Sequence, residues 1–341
     1  KKPTFSFTSD SQLSWLVYDA MEAPVLEKTK KGSPKTDYET LKKLAELNPN
    51  LNTIVEYKDI KAVYATFVEG MLERVEDDNR IYPGFYINGT ATGRISHSNP
   101  NMGNLPREGV IRNFFVPDTG YSIVGADYSQ LEVVVEANLT NDKNLLKIIL
   151  EGASKHDITA QGLSISRDAA KTLNFALQYG AGVSKVRKIL NISEQDAEDV
   201  YNRYWELYSG VKSLKDQTSK ILKETGQVTN LFGRTRHFDK PKNKYEQFRQ
   251  ERQAYNHMVQ GPGADITNMA TYRVYNSLKA SGIGDLWFSV HDEIITQVME
   301  KHADSFSKTI VEEMEGVNDY VKFKYPVSAK PYILNSCWSK T

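Results

Sequence analysis

The stretch LWFSVHDEIITQV, from Leu286 to Val298, places two adjacent carboxylates inside an otherwise apolar run. Aromatic and β-branched residues lie on both sides of the pair, a composition that favours a strand over a loop. Asp292 and Glu293 therefore fall in the middle of a predicted buried strand. Burying an ionised carboxylate is costly unless a positive charge compensates it. The run therefore predicts a counter-charge close to Asp292.

A second apolar run also meets an acid. The residues from Tyr121 to Ala126 predict a strand that passes into a turn or helix at Asp127. If the two strands are antiparallel neighbours, Asp127 and Asp292 come close together and repel each other unless a divalent cation lies between them. Oxygen ligands favour Mg²⁺. The alternative is that Asp292 and Glu293 form a hairpin turn and Asp127 caps a helix, but the turn lacks the Gly or Asn typical of a hairpin.

A stripe of four side chains indicates which ligand would bind together with the divalent cation. Arg167, Lys171, Phe175 and Tyr179 recur at every fourth position and share one face of a predicted helix. Cations at a helix start oppose its dipole unless an anion binds there, and the two aromatics offer a flat surface further along. The stripe therefore indicates a nucleoside triphosphate site beside the metal. The alternative is an amphipathic helix with Phe175 and Tyr179 in the core and the cations in solvent.

Composition limits the function classes. Lys+Arg and Asp+Glu balance at 43 each, so any attraction to nucleic acid must come from local basic clusters such as residues 27–35 and 231–238. The single cysteine, Cys337, excludes an internal disulfide and a cysteine-based zinc site. No apolar run is long enough to cross a bilayer and the start has no signal-peptide core, so we expect a cytoplasmic protein without a membrane partner. The sequence lacks an initiator Met, and we expect a piece of a longer polypeptide.

The element pattern predicts an α+β fold. Residues 141–250 are mostly helical, whereas Tyr121 to Ala126, Leu286 to Val298 and a segment in YPVSAKPYIL predict strands of one antiparallel sheet. A helical insertion thus separates the two acid-bearing strands.

Several motifs in this order resemble those of a known family. DYSQLE (127–132), RDAAKTLNFALQYG (167–180) and VHDE (290–293) resemble motifs A, B and C of the family A DNA polymerases, the bacterial DNA polymerase I type. The segments at 24–37, 91–106, 231–237 and 254–266 are also similar to stretches of that family, so the likeness covers nearly the whole chain. The short connector from His156 to Arg167 and the sequence YGAG resemble phage members.

The resemblance implies a right-hand polymerase fold with an antiparallel-sheet palm, helical fingers and a partial helical thumb. We expect the thumb at residues 1–75, the palm at 76–140 and 254–341, and the fingers at 141–253. Any exonuclease domain would precede residue 1, and no exonuclease-type carboxylate set is apparent before residue 75. The 341 residues should therefore polymerise without proofreading.

The resemblance also implies a catalytic centre. Asp127 and Asp292 would hold two Mg²⁺ ions, for which Mn²⁺ could substitute, with the Tyr128 carbonyl as a further ligand and Glu293 in support. Arg167, Lys171 and His156 would bind the triphosphate of the dNTP, with Lys171 as an acid toward the leaving group. The other residues that would bind the dNTP are Gln130, Glu132, Phe175 and Tyr179. Among these, Glu132 resembles the steric gate against a ribose 2′-hydroxyl, and Phe175 implies poor use of dideoxynucleotides.

Primer-template DNA is the implied partner. The positions that match duplex-contacting residues of the family are Arg94, Asn104, Arg252, Asn256, Gln260 and His291. Lys28, Lys30 and Lys31 would hold phosphates through a thumb loop, which implies salt-sensitive binding. Without the resemblance, Arg94 could be a solvated arginine, and Asn256 or Gln260 part of a polar helix face. We expect a monomer in the cytoplasm, associated with the nucleoid, that could use replication accessory proteins.

Departures from the family pattern concern the primer end. Ser289 and Gly103 stand where the family has glutamines, and Val133 to Val135 replace a stretch that usually contains an arginine. Each change removes a side chain that would reach the primer terminus. A catalytically silent DNA-binding subunit is therefore an alternative, although Asp127, Asp292 and Lys171 are all present.

Two other enzyme classes are rivals. A single-subunit RNA polymerase would have no use for the Glu132 gate, and a metal-dependent phosphohydrolase would not explain the stripe that begins at Arg167.

Overall fold

The computed structural model describes residues 5–106, 110–178 and 180–339 and divides the chain into two compact units, 1–84 and 85–341. The first unit is helical, with α1 (Asp10–Ser14), α2 (Tyr38–Leu47), α3 (Asn52–Val63) and α4 (Gly70–Leu72). π-Helical turns at Trp15–Ala20 and Tyr64–Glu69 continue α1 and α3. Its core is built from aliphatic side chains that include Leu13, Val17, Leu41, Leu44 and Leu51.

The second unit combines helices with a four-stranded sheet. Its elements, in chain order, are β1 (Gly84–Tyr86), which starts at the last residue of the first unit, β2 (Ser96–Ser98), β3 (Tyr121–Tyr128), α5 (Leu131–Thr140), α6 (Lys143–Glu151), α7 (Lys155–Leu163), α8 (Arg167–Gln178), α9 (Val183–Leu190), α10 (Glu194–Leu207), α11 (Ser209–Thr225), β4 (Gln227–Thr229), β5 (Thr235–His237), α12 (Lys244–Ser281), β6 (Gly284–Val290), β7 (Glu293–Met299), α13 (Ala303–Glu315), α14 (Asn318–Val321) and β8 (Ala329–Leu334). None of the helices in the described ranges is both long and apolar enough to cross a membrane.

The sheet confirms the predicted α+β arrangement. Its strand order is β6-β7-β3-β8, with β3 antiparallel to both β7 and β8. Because side chains alternate along a strand, Val124 and Ala126 enter the main core with Ile294 from β7. Asp127 belongs to the opposite face, where it is the register partner of Glu293. The helical region before α12 is also confirmed, with the short β4–β5 hairpin after α11.

One predicted strand is wrong. The run from Leu286 to Val298 forms two strands, β6 and β7, joined by a two-residue turn at His291 and Asp292. His291 adopts a left-handed backbone with φ of 57°. Histidine, like Asn and Asp, enters that region more readily than most residues, so the tight turn forms without Gly or Asn. Asp292 therefore lies at a hairpin tip instead of inside a strand.

The predicted fingers–palm boundary at 253/254 falls inside α12, a continuous helix of 38 residues. The domain boundaries remain predictions.

A close contact fixes the sheet next to Asp127. Gly125 is the register partner of Tyr332 in β8, and a Cβ built on Gly125 would lie 2.3 Å from both Cζ and the hydroxyl oxygen of Tyr332. The tyrosine side chain therefore crosses β3 over a position that only glycine can occupy without movement of the ring.

Gly125→Ala should lower the free energy of unfolding by about 1–3 kcal/mol, because the added methyl group overpacks the Tyr332 contact. Chemical denaturation measures this loss. Gly263→Ala is the matched control, since its Cβ would meet Leu131 at an ordinary 3.5 Å in the middle of a helix. Alanine there should be neutral or stabilising by up to about 1 kcal/mol. Equal effects of the two substitutions would contradict the account of Gly125.

Candidate active site

A backbone hydrogen bond brings the two predicted metal-binding aspartates together. The N–H of Tyr128, at the end of β3, donates to the carbonyl oxygen of Asp292 at 3.1 Å. Asp127 immediately precedes the donor, and it pairs in register with Glu293, which immediately follows the acceptor. Asp127 and Asp292 are half-buried, whereas Glu293 is only 8% exposed. One end of the two central strands, β3 and β7, thus brings together three acidic residues from two distant segments.

The donor chemistry at this end of the central strands fits a hard divalent cation. The two aspartates and the Tyr128 carbonyl would offer only oxygen, which suits Mg²⁺ or Mn²⁺. Within the described ranges, no group of three or more His, Cys, Asp or Glu side chains is arranged to hold a metal. Mg²⁺ commonly keeps waters and substrate phosphates in its shell, so a few protein ligands suffice. The Tyr128 side chain takes no part, because its buried hydroxyl donates to the Met314 carbonyl at 2.7 Å.

Glu293 has a partner of its own. The Tyr332 side chain lies beside its carboxylate, and burial together with this carboxylate raises the pKa of Tyr332. The tyrosine that crosses Gly125 is therefore also next to Glu293. This connects the Gly125–Tyr332 contact to the acid cluster.

The stripe on α8 faces outward. Arg167, Lys171 and Phe175 are exposed, and Phe175 as a whole residue is 52% accessible. The buried side of the helix consists of Ala170, Leu173, Asn174 and Leu177. The alternative that places Phe175 in the core is therefore wrong. Tyr179 lies outside the described residues.

His156 on α7 joins this surface. Its ring lies 6.0 Å from that of Phe175, and its Nδ1 is 3.1 Å from the Asn174 amide nitrogen. Burial lowers the pKa of His156, and the positive charges of Arg167, Lys171 and Lys155 lower it further. Three cations thus surround His156, which is an arrangement that an anion would stabilise.

Arg167 already has an anionic partner. Its Nε donates to Oδ1 of Asp157 at 2.8 Å, and both side chains are about half exposed or more. The carboxylate from α7 therefore supplies the negative charge that the sequence predicted for the start of α8.

Arg94 and Glu132 form the ion pair closest to the predicted sugar site. A guanidinium nitrogen of Arg94 donates to Oε1 of Glu132 at 2.6 Å. Burial raises the pKa of Glu132, while Arg94 opposes that rise and Lys155 also opposes it. Lys155 is therefore close to both Glu132 and His156, which connects the predicted gate to the cation cluster. Gln130 is exposed and left-handed, with φ of 52°, at the cap of α5.

The predicted DNA contacts fall into three groups. Arg94, Asn104 and His291 line one cavity of about 210 Å³. The half-buried α12 residues are Arg252, Asn256 and Gln260. Arg252 packs over Gly180. A Cβ built on Gly180 would lie 2.4 Å from Cδ of Arg252.

The third group lies in the first unit. Lys28, Lys30 and Lys31 are exposed on a turn closed by a bridge between Lys28 and Pro34. In contrast, Lys35 pairs with Glu27 at 2.9 Å.

Sequence reasoning missed Lys155, Tyr332 and His97. Lys155 directly precedes His156, and that adjacency is the one signal that could have found it. Tyr332 and His97 contact the site through long-range pairing, which no local pattern reveals.

Arg94→Met should raise the pKa of Glu132 further, because Arg94 is the main group that holds it down. A glutamate has a pKa of about 4.3 in the unfolded chain, and folding raises the pKa of Glu132 above that value. Such a group lowers the free energy of unfolding of the protein as the pH rises from the unfolded pKa through the folded pKa. The free energy of unfolding of the variant should therefore be lower than that of the unaltered protein by about 1–3 kcal/mol at pH 7, and the difference should be smaller at pH 4.5. Denaturant titrations at the two pH values measure the difference. Arg249→Met, which removes an exposed pair with Glu246, is the control and should change little at either pH. A loss that is independent of pH would contradict this account.

Comparisons with known proteins point to one family. A sequence model of DNA polymerase family A matches residues 1–338. DNA polymerase I of Caldicellulosiruptor bescii is 32% identical over 340 residues, which cover 95% of this chain and 40% of that protein. The thermostable DNA polymerase I of Thermus aquaticus is 30% identical over 330 residues, which cover 92% of this chain and 40% of that protein. The chain therefore spans about two-fifths of the length of these relatives.

A solved structure is similar as well. The POL domain of Pol1 from M. smegmatis, in complex with DNA primer-template and dNTP, superposes with a TM-score of 0.87 and 27% identity. The match covers 98% of this chain and 61% of that chain. The predicted polymerase fold is thus confirmed. Since the family model spans nearly all of the sequence, the chain belongs to DNA polymerase family A.

Proposed function

We propose that the chain adds dNTPs to a primer 3′-hydroxyl under the direction of a DNA template and releases pyrophosphate. The observation that carries the proposal is the hydrogen bond from the Tyr128 N–H to the Asp292 carbonyl, which brings the two aspartates together at one end of the central strands. Membership of family A and the primer-template and dNTP in the similar M. smegmatis complex support the substrate class.

Asp127, Asp292 and the Tyr128 carbonyl would hold two Mg²⁺ ions. When bound, such ions would lower the pKa of the 3′-hydroxyl and neutralise the leaving pyrophosphate. Glu293, which lies beside Tyr332, supports the two aspartates from the neighbouring position in β7.

Three side chains bind the triphosphate in this proposal. Lys171 and His156 face the same surface, and Lys171 donates a proton to the leaving group. Arg167 exchanges Asp157 for a phosphate oxygen. That exchange costs little, because exposed ion pairs contribute only about 0–1 kcal/mol. Catalysis then consists mainly of positioning and charge neutralisation.

The sugar and base meet a second set of residues. The exposed ring of Phe175 provides the stacking surface, and Glu132 excludes a ribose 2′-hydroxyl while Arg94 fixes its rotamer. Gln130 and Tyr179 are assigned to the same nucleotide.

The assignment of DNA contacts and domains follows the same proposal. Arg94, Asn104 and His291 hold the growing end, and the Lys28–Lys31 turn holds duplex phosphates. The thumb, palm and fingers occupy the residue ranges that the sequence predicts. We also propose that these 341 residues do not excise a mismatched primer end, which a labelled mismatched primer without dNTP would test.

Single-nucleotide extension of a labelled primer on a DNA template with Mg²⁺ tests the proposal. The protein should add the matched dNTP and discriminate against the rNTP. Asp292→Asn should reduce the rate by at least about a hundredfold, because it removes one charge at the hairpin tip. Asp304→Asn, at the exposed start of α13, is the matched control and should extend normally. Salt-sensitive DNA binding without any extension by the unaltered protein would support a silent DNA-binding subunit instead.

Phe175→Tyr should increase the use of dideoxynucleotides relative to dNTPs by at least about tenfold, because the new hydroxyl would take the place of the 3′-hydroxyl that a dideoxynucleotide lacks. Competition between ddNTP and dNTP in the extension assay measures the ratio. Phe248→Tyr, an equally exposed ring on α12, should leave it unchanged. An unchanged ratio in Phe175→Tyr would contradict the placement of the nucleotide on α8.

A further inference from the structure

The last turn of α8 is bound by a lysine from another helix. Nζ of Lys215, on α11, donates a hydrogen bond to the carbonyl oxygen of Leu177 at 3.2 Å. The same carbonyl accepts the backbone N–H of Gly180 at 3.0 Å. The last carbonyl groups of a helix have no partner within the helix, and a cation next to them interacts favourably with the helix dipole. Lys215 therefore caps the end of α8 that lies opposite Arg167 and Lys171.

Two aromatic rings enclose the ammonium group of Lys215. Its Nζ lies 4.5 Å from the ring centroid of Trp205 on α10 and 4.9 Å from that of Tyr255 on α12. A cation over an aromatic face is attracted to the ring, and more strongly where water is excluded. Because Leu177 is also fully buried, the hydrogen bond fixes the end of α8 against α10 and α12.

Charged groups from three helices surround Lys215. Glu136 on α5 is 1% exposed, and its carboxylate accepts a hydrogen bond from the Tyr255 hydroxyl. Burial lowers the pKa of Lys215 to about 8, and Glu136 opposes this decrease. Lys155 on α7 lowers the pKa further, whereas Asp216 on α11 raises it. Lys215 is therefore mostly charged at pH 7 and mostly neutral at about pH 9. Burial and Glu136 raise the pKa of Tyr255, so the tyrosine stays protonated over this range.

The bond at Leu177 has a geometric effect at the far end of α8. Arg167 precedes Leu177 by ten residues, which is about 15 Å along a helix. A tilt of about 5° at Leu177 would therefore displace Arg167 by about 1 Å. Displacements of about 1 Å in groups that position a substrate can reduce rates about a hundredfold. Packing alone does not require a lysine here, because an apolar side chain of similar volume is often as stable in a buried place.

We propose that Lys215 is a positioning residue for nucleotide binding, whose hydrogen bond to the Leu177 carbonyl fixes the tilt of α8 and thereby the position of the stripe that receives the dNTP. This inference rests on the proposed function. Lys215 acts through α8 and not by contact with the nucleotide. A neutral amine is a weaker donor than an ammonium group and has no charge to interact with the helix dipole. The constraint on α8 therefore weakens as Lys215 loses its proton.

Single-turnover extension with dATP tests this role, because it separates the dissociation constant of dATP from the maximal rate. The base of dATP does not titrate between pH 7 and 9. Lys215→Met keeps a flexible side chain but removes the donor and the charge, so it should weaken dATP binding about tenfold at pH 7. Lys215→Arg keeps the donor and the charge at both pH values and should bind dATP as the unaltered protein does at pH 7. The unaltered protein should bind dATP about threefold more weakly at pH 9 than at pH 7, whereas Lys215→Arg should not.

The controls separate this inference from the proposed function. Lys220→Met, at an exposed position of the same helix, should behave like the unaltered protein. If Lys215→Met fails to give a cooperative melting transition, Lys215→Met combined with Glu136→Gln replaces it with the same expectation, because no uncompensated charge then remains buried.

Three results would overturn the role of Lys215. They are an unchanged dissociation constant of dATP in Lys215→Met, equal losses of affinity in the Met and Arg variants, and a pH dependence that Lys215→Arg shares with the unaltered protein. Absence of any extension by the unaltered protein would instead overturn the proposed function.

Discussion

The hydrogen bond from the Tyr128 N–H to the Asp292 carbonyl is the contact on which the candidate site depends. A single backbone bond contributes only about 0.5–1.5 kcal/mol, so its importance is geometric. It closes the β3–β7 ladder at the point where β3 ends and the hairpin turns. The register then extends from Asp127 and Glu293 to Tyr121 and Met299, and this ladder holds the two acid-bearing segments in one position.

Two arginines of the candidate site form ion pairs within the chain itself. Arg94 forms an ion pair with Glu132, and Arg167 forms one with Asp157. Both arginines are therefore placed before any ligand arrives, which reduces the entropy lost on binding. The two pairs differ in burial. The Arg167 pair is exposed and can be exchanged for phosphate at small cost, whereas the Arg94 pair compensates a buried carboxylate whose pKa is raised.

The sequence alone predicted the acids, the helical stripe and the antiparallel sheet, because each rests on a local pattern or on motif order. It wrongly predicted a continuous strand through Asp292, because no Gly or Asn marks the turn. In the structure, His291 adopts the left-handed backbone that one of those residues would normally supply. The Gly125–Tyr332 contact and the cavity around His97 could not be predicted. Both features depend on which distant residues pair in the sheet or line the same cavity. A residue such as Tyr332 has no local sequence pattern that reveals such a role.

Metal binding at the acid cluster tests the central claim most directly. Mn²⁺ titration followed by electron paramagnetic resonance, in the presence of a 3′-deoxy-terminated primer-template and the next dNTP, reports binding without turnover. The account predicts that Asp127→Asn and Asp292→Asn each weaken Mn²⁺ binding by at least about tenfold, while Asp304→Asn leaves it unchanged. Unaltered Mn²⁺ affinity in both Asp127→Asn and Asp292→Asn would contradict the proposal that the Tyr128–Asp292 bond assembles a metal site.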